Sequence, residues 1–171
     1  TQGIDLIANY ETELFDGNAS FSLAYNFNET EVDNFTDITG DFKVSRLEND
    51  LPNHRATLTW AQNWDKVNFL LRGNYYGEYQ GVHVDYDATV NTGEAAVTLD
   101  AELSYSVTNE IVLSVGAQNL LDQQATEINF TEAGAADCGG CVNSQWGGQY
   151  YETSPFGFNG GFYYVKATYK F

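Results

Sequence analysis

The sequence predicts an all-β chain forming an antiparallel transmembrane barrel wall, and three observations predict it. Apolar residues recur at every second position in seven segments, the charges of those segments fall on the opposite set, and the connections alternate strictly between short and long. A period of two sends successive side chains to opposite faces of a strand, so each segment has one dry face and one wet face. No apolar run approaches the ~20 residues that a membrane helix needs. No basic stretch followed by an apolar one marks a signal peptide at Thr1. Neither absence argues against a membrane, because barrels hide their apolar surface in alternation.

The elements follow in order. The first strand carries Ile4, Leu6, Ala8 and Tyr10 on its dry side and Asp5, Asn9 and Glu11 on the other. A short turn over 13–18, containing Asp16-Gly17, leads to Phe21, Leu23, Tyr25 and Phe27, backed by Ser20, Ser22 and Asn26. After the long connection 29–53, Ala56, Leu58 and Trp60 oppose Arg55, Thr57 and Thr59. The short turn 64–66 opens a strand with Val67, Phe69, Leu71 and Tyr75 against Asn68, Arg72 and Asn74. Beyond the long connection 77–96, Val97, Leu99, Ala101, Leu103 and Tyr105 oppose Asp100, Glu102 and Ser104. The short turn 107–110 precedes Ile111, Leu113, Val115 and Ala117, with Ser114 and Gln118 behind them. The longest connection, 120–160, ends in a strand with Tyr163, Val165, Ala167, Tyr169 and Phe171 on one face and Phe162, Tyr164, Lys166, Thr168 and Lys170 on the other.

Strict alternation of connection length puts every short turn at one end of the sheet and every long loop at the other. Outer-membrane barrels show that arrangement, with periplasmic turns and extracellular loops. Tyr10, Phe27, Tyr75, Tyr105 and Phe171 lie near strand ends, where a barrel has its aromatic girdles. Two alternatives stay open, a passive porin-like barrel and a soluble secreted β-sandwich that binds glycans and packs its dry faces together. Seven is an odd number of strands for a bacterial barrel, and the first strand starts almost at Thr1. The expectation is therefore a C-terminal portion of a larger barrel, because an open edge in hydrocarbon strands backbone groups without partners.

The stretches "TQGIDLIANYE", "LPNHRATLTW", "LSVGAQNLLD" and "SPFGFNGGFYYVKATYKF", in that order, resemble the closing third of TonB-dependent outer-membrane receptors. Asn119-Leu120-Leu121-Asp122 and the terminal aromatic are the most specific features. The resemblance implies the bacterial outer membrane, a full cylinder of roughly 22 strands, and energy-coupled import of a bulky nutrient such as a siderophore, vitamin or oligosaccharide. It implies outer-membrane lipid and lipopolysaccharide, the plug and earlier strands of the same receptor, the TonB complex and the barrel-assembly machinery as partners. In such receptors the last strand closes the barrel, and Tyr169 and Phe171 would form the signal that the assembly machinery reads.

Charge is uneven. The three long connections hold 16 of the 24 acidic residues but only two of the seven basic ones, Lys43 and Arg46. Nucleic acid is a poor partner for such a surface. Asp33, Asp37, Asp41, Asp85 and Asp87 are candidate oxygen ligands for divalent ions, although no spacing matches a defined calcium loop and a solvated acidic exterior is the preferred reading. No metal site or cofactor is assigned.

Cys138 and Cys141 form a lone C-x-x-C in the longest connection. Such a pair serves as half a zinc site, a redox pair or a small staple, and in an extracellular loop a local disulfide is the favoured reading. It would stiffen the loop that bears Trp146, Tyr150 and Tyr151. Those rings could stack on a sugar or siderophore, with His83 as a further candidate contact, or the loop could pack on itself. Arg72, Asp100 and Glu102 on the wet face suit ion pairs across neighbouring strands. Matches to N-x-[ST] at Asn18, Asn28, Asn34 and Asn129 arise by chance in a chain this rich in Asn and Thr. No nucleophile–base set or phosphate loop recurs at usable spacing, so no enzymatic activity is expected.

Overall fold

The computed structural model describes residues 1–33, 41–82, 90–127, 150 and 154–171. Seven strands form one antiparallel sheet in the order β1-β2-β3-β4-β7-β8-β9. They are β1 (Gln2–Leu14), β2 (Gly17–Glu29), β3 (His54–Asn63), β4 (Val67–Tyr76), β7 (Ala96–Ser106), β8 (Ile111–Gln118) and β9 (Phe162–Tyr169). The seven alternating segments are these seven strands. Two connections expected to be irregular contain structure: α1 (Asp41–Asn49) lies between β2 and β3, and a separate hairpin of β5 (Tyr79–Val82) and β6 (Val90–Gly93) lies between β4 and β7. The helix packs against β5. Its nine residues are too few for a helical period to stand out against polar surroundings.

Register joins the dry faces into a continuous belt. Across one row, Tyr10 faces Phe21, Phe21 faces Trp60, Trp60 faces Leu71 and Leu71 faces Ala101. A row away, Ala8, Leu23, Leu58, Gly73 and Leu99 are successive partners. Leu103, Val115 and Val165 continue the belt on the far side. Register also puts the charged strand residues on the other face, except Glu29, which ends β2 beside Gln2 and accepts its side-chain amide at 3.1 Å. Three larger aliphatic residues break the rule in the opposite sense: Ile7, Leu70 and Val112, registered opposite Ala24, Glu102 and Thr168, stand on the wet face.

The belt has no protein over it. Leu58 is 54% exposed, Leu103 47%, Val115 54% and Val165 82%. Buried apolar residues among those described are small or lie in the connections, namely Ala19, Val44, Tyr79, Ala96, Ala117 and Ala125. A water-soluble sandwich needs a second layer against such a face, and the seven strands form a single sheet. The sheet does not close on itself; β1 and β9 are its edges.

The short turns share one rim. The first is tighter than Asp16-Gly17 suggested: Phe15 and Asp16 occupy the two loop positions with φ of 53° and 56°, and Gly17 already pairs with Leu14. Positive φ at both central residues is the turn that matches strand twist, and it costs an aromatic residue about 1–2 kcal/mol. Neighbours offset that cost. The indole of Trp64 donates to the Phe15 carbonyl at 2.8 Å, Gln62 donates to the Leu14 carbonyl at 2.7 Å, and the Phe15 ring lies 6.5 Å from Trp60. Trp60 also stacks on Phe21 and meets Phe69 edge-on, so an aromatic cluster stands on the belt next to the turns.

Candidate functional site

Long connections meet at the opposite end, above the wet face. The register opposite Arg55 puts Tyr76 on that face at the loop end of β4, and its ring lies 5.3 Å from Phe156. Tyr150 stacks on Phe158 at 5.9 Å and 9°, pairs through its backbone with Glu127, and donates its hydroxyl to Gln124 at 3.4 Å. Glu94, just after β6, donates its amide to Thr126 at 2.8 Å, which ties the hairpin to the longest connection. Tyr79 of β5 is buried, and burial pushes its phenol above the ordinary tyrosine range, with Ser154 nearby offsetting part of the rise.

Asn119-Leu120-Leu121-Asp122 is what holds the longest connection at its base. The residues turn back on themselves, with Asn119 and Asp122 at φ of 49° and 54° and Asp122 donating its amide to the Asn119 carbonyl at 2.9 Å. The Asn119 side chain both donates to the Gln123 carbonyl and accepts from the Gln123 amide, at 2.8 and 3.0 Å. Its backbone amide is held by Asp100 at 2.9 Å. The Asp122 carboxylate accepts the backbone amide of Gly161 at 2.8 Å, so the two ends of the excursion are clasped before β9 begins. Asn and Asp suit this because both tolerate left-handed backbone and bond locally.

Below the mouth, the wet face is cross-linked. Glu102 accepts from the Tyr164 hydroxyl at 2.7 Å, from Lys166 at 3.2 Å and from Ser104 at 3.1 Å. Asn74 donates to Thr98 and Asp100 and accepts from Thr57. An ion pair does form at Glu102, but with Lys166 two strands away, across β8, and not between neighbouring strands as expected. Arg72, although registered opposite Asp100, donates instead to Thr59 at 3.2 Å.

Of the candidate binding residues, Tyr150 is the one among the described residues, stacked on Phe158 at the loop end. His83, Trp146, Tyr151, Cys138 and Cys141 lie outside the described residues, as do Asp37, Asp85, Asp87, Asn34 and Asn129. Asp33 is exposed, Asp41 opens α1, and Asn18 and Asn28 belong to β2. The described residues contain no group of three or more His, Cys, Asp or Glu suited to a metal ion. Tyr169 and Phe171 meet edge-on at 5.0 Å. Sequence reading missed Tyr76, Phe156 and Phe158; the doublet Tyr75-Tyr76 was the signal, since its second ring had to leave the apolar face.

A family model described as TonB dependent receptor-like, beta-barrel matches residues 1–120. The chain belongs to this family. The match covers the receptor barrel's β1 to β8 and ends inside the Asn119–Asp122 motif, short of the longest connection and β9. No curated protein and no solved structure matches the chain. Within this receptor barrel the apolar belt is the outward face and the cross-linked polar face lines the interior, as in outer-membrane barrels generally.

Proposed function

We propose that this chain is part of the wall and loop-side mouth of an outer-membrane receptor that captures a bulky nutrient and imports it in an energy-coupled step. The observation that carries the reading is the pair Tyr76 and Phe156 at the interior edge of the mouth, with Tyr150 and Phe158 stacked beside them, in a barrel of the TonB-dependent receptor family. Aromatic rings at a wet rim offer flat apolar area with few torsions to freeze, which suits a siderophore, a vitamin or an oligosaccharide. Trp146, Tyr151 and His83 would extend this surface, and a Cys138–Cys141 disulfide would stiffen it. The open edges of β1 and β9 would pair with earlier strands of the same receptor, whose plug would gate passage and whose N-terminal segment would meet the TonB complex. Tyr169 and Phe171 would present the barrel to its assembly machinery.

The test is uptake by cells that carry the full receptor, with and without a working energy-coupling complex. Accumulation that requires coupling, and falls when Tyr76 and Phe156 are both replaced by Ala, supports import. Equal accumulation in both strains would make the barrel a passive porin.

A further inference from the structure

A cavity of about 400 Å³ lies at the loop end, on the side of the wall that faces away from the interior. Asn49 and Leu51, at and just past the end of α1, line it together with Tyr75 from the end of β4 and Glu78, Gln80 and Thr92 from the hairpin region. Register fixes the side it occupies, because Tyr75 lies between Ala56 and Val97, both members of the apolar set. The cavity is therefore on the perimeter, at the level where the belt gives way to polar connections, and none of the ring pairs of the mouth belongs to its lining.

The lining offers acceptors and no cation. With no Lys or Arg around it, an anion there would lose water without compensation. Glu78 brings the one carboxylate, and no cation pairs with it among the described residues. The Asn49 side chain donates its amide nitrogen to the Ser45 carbonyl at 3.3 Å, which leaves its oxygen to accept. Gln80 and Thr92 add two more acceptors. Tyr79 also lines the cavity, and its buried hydroxyl has no hydrogen bond of good geometry among the described residues, so an arriving donor would satisfy it. A guanidinium fits this set, because it is a plane of N–H donors without an acceptor. Its flat face stacks on aromatic rings, and the Tyr75 ring is 40% exposed. Leu51 gives an alkyl stem an apolar neighbour. An ammonium, compact and strongly hydrated, gains less from spread acceptors and a ring face. The connections that frame the cavity, 29–53 and 77–96, are strongly acidic and have Lys43 and Arg46 as their only Lys or Arg, so their field concentrates cations here.

We propose that this perimeter cavity binds an alkylguanidinium group, with Glu78 and the side-chain oxygens around its N–H edge and Tyr75 against its face. The site lies outside the barrel interior, so it is independent of any imported nutrient. A free solute and an arginine side chain of a neighbouring surface protein carry the same group, and the test separates them. Full-length receptor in nonionic detergent is titrated, by saturation-transfer NMR, with butylguanidinium, its neutral isostere butylurea, butylammonium, pentanoate and an end-blocked peptide with a single arginine. Glu78→Gln, which removes the charge, and Thr92→Trp, which fills the cavity, are compared with the parent, each first shown to keep heat-modifiable mobility. Butylguanidinium should bind about tenfold tighter than butylurea, or about 1.4 kcal/mol. Its affinity should fall about fivefold in Glu78→Gln, within the range of a solvent-accessible ion pair, and be lost in Thr92→Trp. A peptide that binds tighter than butylguanidinium supports the site with a protein side chain as occupant, and a weaker one supports it with a free solute. Equal binding of butylurea or butylammonium, tighter binding of pentanoate, or unaltered butylguanidinium affinity in both variants would overturn the proposal. Uptake is not part of the readout, so a failure of the import reading leaves the titration intact.

Discussion

Asp122 shows how one short side chain organises a long excursion. Its carboxylate accepts the Gly161 amide at 2.8 Å and the Gln124 side chain at 3.0 Å; Gly160 beside it sits at φ +66°, and a side chain there would also strike that carboxylate. Asp122→Ala should cost about 1 kcal/mol, because the bonds are exposed and water can take up the freed donors, and should lower the temperature at which the full receptor loses its heat-modifiable mobility. A second joint lies on the interior face, where the Tyr164 ring covers Gly116 on its way to Glu102. Gly116→Val would put a branched side chain where the ring lies; an overpacking cost of about 1–3 kcal/mol is expected, and Tyr164→Ala in the same molecule should recover part of it in the same assay. Tyr79 behaves in the opposite way. Its hydroxyl is buried without a hydrogen bond of good geometry among the described residues, since the nearby Ser154 hydroxyl donates to the Phe156 carbonyl at 2.8 Å. Tyr79→Phe should therefore be neutral or slightly stabilising. Because burial raises this phenol, the neutral form is favoured in the folded loop; its contribution is complete below the ordinary tyrosine range and is lost as pH rises through the raised value. Phenolate absorbance followed against pH, in parent and Tyr79→Phe, reads this directly.

Strands were legible to the extent that alternation was strict. In β1 to β4 and β7 to β9 the dry set has a single period, and a one-residue slip would expose it to water, so pattern alone fixed which residues face which way. The two-residue turn was less legible, because its left-handed positions are filled by Phe15 and Asp16 and not by the following glycine; the tertiary bond from Trp64 decided the matter. α1 and the β5/β6 hairpin escaped the reading, since short elements in polar connections bury too little to impose a period. At the mouth, Tyr150 was legible as an aromatic in a loop, but its stacking partner Phe158 and the pair Tyr76 and Phe156 depend on how separate connections meet. The belt gives the sharpest test of an element. Leu103→Arg at mid-strand should cost about 2–4 kcal/mol of insertion and block assembly, while Asn68→Arg on the interior face should be tolerated; band-shift on unheated gels separates the two. Normal assembly of Leu103→Arg would mean that the face does not meet lipid.

At the scale of the molecule, a sheet without a buried core is stable only if its surroundings supply what a core would. The described residues bury few large apolar side chains, yet Ile4, Leu58, Val115 and Val165 stand more than half exposed on one face. Hydrocarbon on that face and water on the other satisfy both sets at once. Above the membrane the charge is one-sided, with a formal net of −17 for the chain and most of it in the long connections. A cationic probe peptide should therefore reach the loop side of the full receptor fastest at low salt, and its association rate should drop as the screening length shrinks from about 10 Å at 0.1 M to about 3 Å at 1 M; stopped-flow fluorescence across that range checks it. In the sheet, every strand is bonded to the sheet strands that come before and after it along the chain, with β5 and β6 set aside as a separate pair. Nothing has to thread through anything else. An ancestor could gain or shed one up-and-down pair and change only its girth, which makes the hairpin the increment by which such cylinders vary in circumference over evolutionary time.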